Sequence, residues 1–192
     1  MNKQVNTAKE RILAVASILF YEQGYNATGI QQIITESSLS KGAFYTHYKT
    51  KDDLGVAYMQ KRNHDEITLL KQSIAHVTDP LKRYFYFIAA MKDVMVKTDF
   101  RGCAFANMCA EIPEGNHPIR KEAKFHYEAF RTLIKDIVND VIQSDKQYKH
   151  LDVQHVTDHY MTIAVGALTI SEIYRDTWPY DHALEQLAHL LN

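Results

Sequence analysis

Seven glycines and four prolines in 192 residues are the tightest constraint on what this chain can fold into. That is about half of ordinary usage. A multi-stranded sheet needs frequent tight turns, and many of those turns demand Gly or Pro. So few breakers leave little room for them and favour long helices. Eight Phe, twelve Tyr and one Trp, with 23% charged residues, exclude a disordered chain. The length suits one domain, or a small module joined to a larger one. Two cysteines, Cys103 and Cys109, do not make a disulfide framework, and a reducing cytoplasm is the expected setting.

A net charge of −1 hides an asymmetry. Residues 1–51 hold six basic side chains (Lys3, Lys9, Arg11, Lys41, Lys49, Lys51) and three acidic ones (Glu10, Glu22, Glu36), a net +3. The remainder holds 16 basic and 20 acidic residues, a net −4. A basic end on an acidic body suits a polyanion-binding head on a scaffold. The run Ile12–Tyr21 behind Lys3, Lys9 and Arg11 imitates a secretory signal. However, Ile12, Val15, Ala16, Leu19 and Phe20 fall on one helical stripe, and no small-residue cleavage site follows. The segment reads as a folded helix of an unexported protein. The longest later uncharged run, His159–Ser171, is short of the roughly 20 residues a membrane span needs, so no membrane partner is expected.

Start and stop signals divide the first fifty-four residues into helices. The first runs from about Thr7 to Gln23, with Gly24 as its stop. Thr28 with Gln31 makes a capping signal for a short second helix carrying Ile30, Ile33 and Ile34. Ser40 caps a two-turn third helix, Lys41 to about Tyr48, and Thr50 with Asp53 opens a fourth. Two short helices a few residues apart are the helix-turn-helix signature. A recognition helix enters the major groove N-terminus first, so its early residues meet base edges while flanking donors hold phosphates. Here Ser40, Lys41, Gly42 and Ala43 are small or basic. Phe44 and Tyr48 share an inward face, Tyr45 and His47 carry hydrogen-bonding tips elsewhere, and Lys49 and Lys51 follow. The alternative is an ordinary amphipathic helix with an aromatic, solvated rim.

The residues themselves go further. The stretch Ala8–Leu54, AKERILAVASILFYEQGYNATGIQQIITESSLSKGAFYTHYKTKDDL, closely resembles the DNA-binding domain of the TetR family of bacterial transcriptional regulators. The resemblance rests on G-Y-x-A-T at the start of helix two, S-K-G-x-F-Y-x-H-Y in helix three and the following K-x-x-L, and it covers about a quarter of the chain. It implies that Thr28, Tyr45, His47 and Lys51 hold phosphates and that Ser40 to Ala43 face the bases. Three positions depart from the usual pattern: Ile34 for Ala, Ser38 for Gly and Leu39 for Val. Ser38 is expected to strain a turn that favours φ > 0.

From Leu54 the pattern is helical throughout. Helix four should reach about His76, and Asp79-Pro80 opens helix five. A short helix spans about Ala104–Glu111, a long one Pro118 to about Gln143, and two more cover Val153–Arg175 and Tyr180–Leu191, parted by Trp178-Pro179. The expectation is an all-α protein of about nine helices. It has a helix-turn-helix domain over 1–54 and a helical ligand-binding and dimerisation domain over 55–192. Helix eight is apolar or small on every side from Tyr160 to Ile170, so one side needs a partner. Helix nine offers Leu184, Leu187, Ala188 and Leu191. In the resembling family these two helices form a four-helix bundle across a two-fold axis, which implies a homodimer. The other reading buries helix eight wholly within one subunit.

Aromatics and methionines crowd the middle of the chain. Tyr84, Phe85, Ile88, Met91, Met95, Cys103, Asn107, Met108, Phe125, Tyr127, Phe130 and Tyr160 are the candidate lining of an apolar effector pocket, although apolar stripes also serve any helical core. His155, Asp158 and His159 could form a metal pair, but no third ligand is identifiable and a solvated face is the plainer reading. The segment Arg101–Glu111 resembles a G-C-x-x-x-N-x-x-x-E stretch of some TetR-like regulators that respond to drugs or electrophiles; its two cysteines could equally be small buried hydrophobes. The expected function is therefore a DNA-binding repressor released from duplex operator by a small molecule, with no cofactor and no enzymatic activity. The competing classes are a helical interaction module and a Cys109–His117 enzyme.

Overall fold

Side-chain caps decide where several of the helices begin. In the computed structural model, which describes residues 7–192, nine α-helices and one 3-10 turn follow one another, with no strand among the described residues. Lys3, one of the basic residues counted above, lies outside them. Helix α1 (Ala8–Glu22) opens on a reciprocal box: Thr7 Oγ1 accepts the Glu10 N–H, and the Glu10 carboxylate accepts the Thr7 N–H at 2.7 Å. Those bonds hold the Glu10 carboxyl below its ordinary pKa. Gly24 then turns the chain at φ +97°.

Helix α2 (Ile30–Glu36) corrects one expectation. Gly29, not Thr28, is its N-cap, and no side chain caps it. The Thr28 hydroxyl turns back instead and donates to the Gly24 carbonyl at 2.7 Å. Ser40 does cap α3 (Lys41–His47), accepting the Ala43 N–H at 3.1 Å. Thr50 and Asp53 form the expected reciprocal pair, both bonds 3.0 Å, at the start of α4 (Lys51–Ile74). Asp79 and Pro80 open α5 (Pro80–Lys97). Helices α6 (Ala104–Glu111) and α7 (Pro118–Ser144) follow, then an unforeseen 3-10 turn over Lys146–Tyr148 and α8 (Val153–Tyr174). Helix α9 (Trp178–His189) begins earlier than expected, because Pro179 is tolerated in a first turn whose N–H groups are unpaired anyway.

Two compact units emerge, and neither is continuous in sequence. The first joins the described residues up to His64 with Ala104–Phe125. Its buried side chains include Ile12, Ala16, Leu19 and Phe20 of α1, Ile33 and Ile34 of α2, Phe44 of α3, and Phe105 and Ile119 from the second stretch. The second unit comprises Asp65–Cys103 and His126–Asn192. One apolar cluster fills it, drawing Tyr84, Phe87, Ile88 and Met91 from α5, Ile134 and Val138 from α7, Tyr160 and Ala164 from α8, and Tyr180 and Leu187 from α9. Tyr84 and Tyr160 stack edge to face at 4.9 Å. Their hydroxyls donate to the carbonyls of Leu187 (3.1 Å) and Tyr84 (2.8 Å), so these deep phenols are satisfied by backbone.

Candidate nucleic-acid interface and apolar body

Three helices build the head. Residues of α1, α2 and α3 pack on one another, and Phe44 is the fully buried residue of α3. Phe44 inward leaves Lys41, Gly42, Tyr45, Thr46 and His47 exposed, with Ala43 half-buried. The turn before α3 holds Ser38 at φ +54°, a region that disfavours a Cβ. Arg11 secures that turn from α1, its guanidinium donating to the carbonyls of Ser37 and Ser38.

The residues singled out in the sequence separate into two kinds. Ser40, Lys41, Gly42, Ala43, Tyr45, His47 and Lys49 form a polar, partly basic surface along and just beyond α3. Lys49 Nζ donates to the Tyr45 carbonyl at 2.9 Å, which places a cation at the C-terminal end of the helix dipole. Thr28 differs: its side chain is fully buried. Lys51 is half-buried, its Nζ 4.2 Å from the centre of the Tyr25 ring. Desolvation lowers the Lys51 pKa, while the charges of Glu111 and Asp52 oppose that shift. Sequence reasoning missed Arg11 and Glu111, whose partners lie far along the chain.

The apolar candidates do not gather in one place. Tyr84, Ile88, Met91, Met95, Phe130 and Tyr160 share the second unit's core, with Phe85 packed against it. Cys103 Sγ and Tyr127 Oη, in the same unit, stand 3.5 Å apart. Asn107 and Met108 of α6 and Phe125 of α7 belong to the first unit, and Phe125 is 62% exposed. Two groups that were not anticipated do stand out. Ser171 and Tyr180 are wholly buried, yet neither hydroxyl has a hydrogen-bond partner among the described residues. Burial pushes the Tyr180 phenol's pKa upward, and the Cys103 charge adds to the shift. No periodicity marks either residue off from ordinary core.

The remaining constellations resolve into local structure. His155 and His159 rings lie 4.1 Å apart, but Asp158 is taken by Arg131 and Gln154. No group of three metal-binding side chains occurs among the described residues. Burial raises the Cys109 thiol's pKa, with Arg120 opposing. His117 lies 3.2 Å from Asp52 through Nε2 and accepts the Ile119 N–H at Nδ1. Both imidazole nitrogens are thus engaged elsewhere than in a nucleophile's activation. No described helix is long and apolar enough to cross a membrane.

A head of three helices whose third has a polar outer face, in an all-helical chain, defines a helix-turn-helix regulator of transcription. Residues 12–58 match the model of bacterial regulatory proteins of the tetR family, and residues 80–187 match the tetracyclin repressor-like C-terminal domain. The chain belongs to the TetR family. It is 20% identical to the transcriptional repressor DhaR of a Mycobacterium species over 92% of this chain and 88% of that protein. Over 46 residues, 24% of each chain, it is 50% identical to the regulator QacR of Staphylococcus aureus. Among solved structures, a TetR-family regulator of Streptomyces coelicolor superposes with a TM-score of 0.83 at 23% identity, covering 96% of this chain and 88% of that one. Reduced NemR of Escherichia coli gives 0.80 at 15% identity, covering 96% and 98%.

Proposed function

We propose that the protein is a homodimeric repressor whose α3 reads an operator and whose helical body takes a small, mainly apolar effector. The exposed run from Ser40 to His47, fixed from beneath by buried Phe44, carries the reading of the head. Ser40 to Ala43 face the bases; Tyr45, His47, Lys49 and Lys51 hold phosphates. Thr28 contributes by shaping the turn before α2, since its hydroxyl is committed to Gly24. Two heads related by a two-fold axis would address half-sites roughly 34–36 Å apart.

The unpaired hydroxyls of Tyr180 and Ser171 support an effector site in the second unit. A buried hydroxyl without a partner loses about 1–3 kcal/mol of hydration, and a ligand carbonyl or hydroxyl placed against it recovers that loss. Tyr84 and Tyr160 are less suited to the task because backbone carbonyls already occupy their hydroxyls. The effector and the operator weaken each other's binding by the same factor.

Binding of the purified protein to mixed-sequence duplex across a salt series tests the reading. A regulator loses affinity steeply as salt rises; a helical interaction module or an enzyme shows no such dependence. Selection of bound sequences then gives the operator. A compound that raises the melting temperature but leaves operator affinity unchanged argues against coupling, because a ligand shifts an equilibrium only through differential affinity.

A further inference from the structure

The C-terminal end of α6 closes on the turn between α1 and α2. Glu111, the last residue of α6, accepts the Tyr25 N–H at 2.9 Å with one carboxylate oxygen and the Asn26 N–H at 2.7 Å with the other. Asn26 returns the contact, its side-chain amide donating to the Glu111 carbonyl at 3.0 Å. A carboxylate that bridges two successive backbone amides fixes both the position and the direction of that turn. Gly24 makes the approach possible. A Cβ there would stand 2.8 Å from the nearer Glu111 oxygen, besides suffering the positive φ.

Tyr25 is restrained at every other point as well. Its hydroxyl donates to Asp52, which also faces His117 of the α6–α7 corner. Its ring passes close to Gly55, where an added Cβ would meet Tyr25 at 3.1 Å and Ile119 at 2.6 Å. The other notable contact is with Lys51, whose ammonium rests over the ring. The corner that supplies Glu111 is itself braced, because Arg120 donates to the carbonyls of Cys109 and Ile112, both at 2.7 Å. All of these residues lie in the first compact unit. A chain of direct partners thus runs from Glu111 through Tyr25 to Lys51.

From this geometry we infer that Glu111 is a positioning residue for DNA binding: by clamping the amides of Tyr25 and Asn26 it holds the ring that seats Lys51 for its phosphate. The inference rests on the reading of Lys51 as a phosphate contact. It goes further by making the strength of that contact depend on where the end of α6 lies. A displacement of α6 that withdraws Glu111 frees Tyr25 and unseats Lys51 without touching α3.

The test is a double-mutant cycle on the full-length protein, with mixed-sequence duplex as the probe. Glu111→Gln keeps the size of the side chain but puts an amide donor against one of two donor groups. Duplex affinity at low salt is expected to fall about tenfold, and the log affinity–log salt slope to flatten by about one. Amide exchange at Tyr25 and Asn26 should quicken. In a Lys51→Ala background the same substitution should change neither affinity nor slope further, since its effect passes through Lys51. Tyr25→Leu, which keeps the backbone amide but removes the ring, should reproduce the slope change and be equally non-additive. An unchanged affinity for Glu111→Gln overturns the inference. So does an equal loss in the Lys51→Ala background, which would mark Glu111 as a general support of the head. Should the wild type bind no duplex, the regulator reading falls and takes this inference with it; wild-type binding with an inert Glu111→Gln removes this inference alone.

Discussion

Lys41 and Lys51 would meet a polyanion in different ways. Lys41 is exposed at the first turn of α3, free to reach into a groove, whereas Lys51 is half-buried against the Tyr25 ring. Lys51→Ala should therefore weaken all duplexes alike and flatten the salt slope by about 1, while Lys41→Ala should alter the preference among sequences; titrations against several duplexes at graded salt separate the two. Tyr48 offers a stability test. Its hydroxyl is buried without a partner, so Tyr48→Phe should raise stability by about 1 kcal/mol in urea unfolding. The cysteines also part company. Burial raises the Cys109 pKa, so thiolate is scarce near neutral pH, and alkylation there should run slower than that of a free thiol, as mass spectrometry of labelled peptides would show. The types and spacing of the exposed α3 residues were legible in the sequence. The burial of Thr28 and the clamp at Glu111 were not, because each depends on a partner whose direction or distance no local pattern encodes.

Helix boundaries were readable wherever a side chain had one obvious amide to cap. Ser40, the Thr50–Asp53 pair and Asp79 with Pro80 all do what their positions suggest. Thr28 failed as a cap because a threonine hydroxyl can also donate backwards, and the Gly24 carbonyl four residues earlier was open to it. The start of α9 was misjudged for a related reason: Trp178-Pro179 reads as a break, yet a proline in the first turn displaces no hydrogen bond. The turn between α2 and α3 met its expectation, with Ser38 at φ +54°. A non-glycine residue there costs roughly 1–2 kcal/mol, offset in part by the greater freedom glycine gives the unfolded chain. Ser38→Gly should therefore stabilise the protein by about 0.5–1 kcal/mol, measured as a shift of the urea midpoint at constant slope.

Across the whole molecule, α8 shows the two-sided character its composition announced. Val156, Thr157, Tyr160, Ala164, Ala167 and Ser171 face the protein's own core, while Ile170, Ile173 and Tyr174 are exposed, as is Trp178 at the start of α9. Leu187 and Leu191 proved to be internal, so the outward face of α9 is more polar than its leucines suggested. With Ile173 73% exposed, sedimentation should find the wild type a dimer and Ile173→Glu a folded monomer. Ala167→Glu is a different experiment: that position is 2% exposed, and a charge there should unfold the chain. A monomeric wild type at micromolar concentration would remove the dimer altogether. The two-piece construction of the first compact unit also bears on how such regulators can be recombined. A chimera that borrows only the residues up to His64 would carry a reading head whose Tyr25 and Asn26 amides have lost their carboxylate and whose Gly55 face has lost its lid of Ile119. Grafting this specificity onto another scaffold calls for Ala104–Phe125 to travel with it, as a second insert excised from the far side of α5.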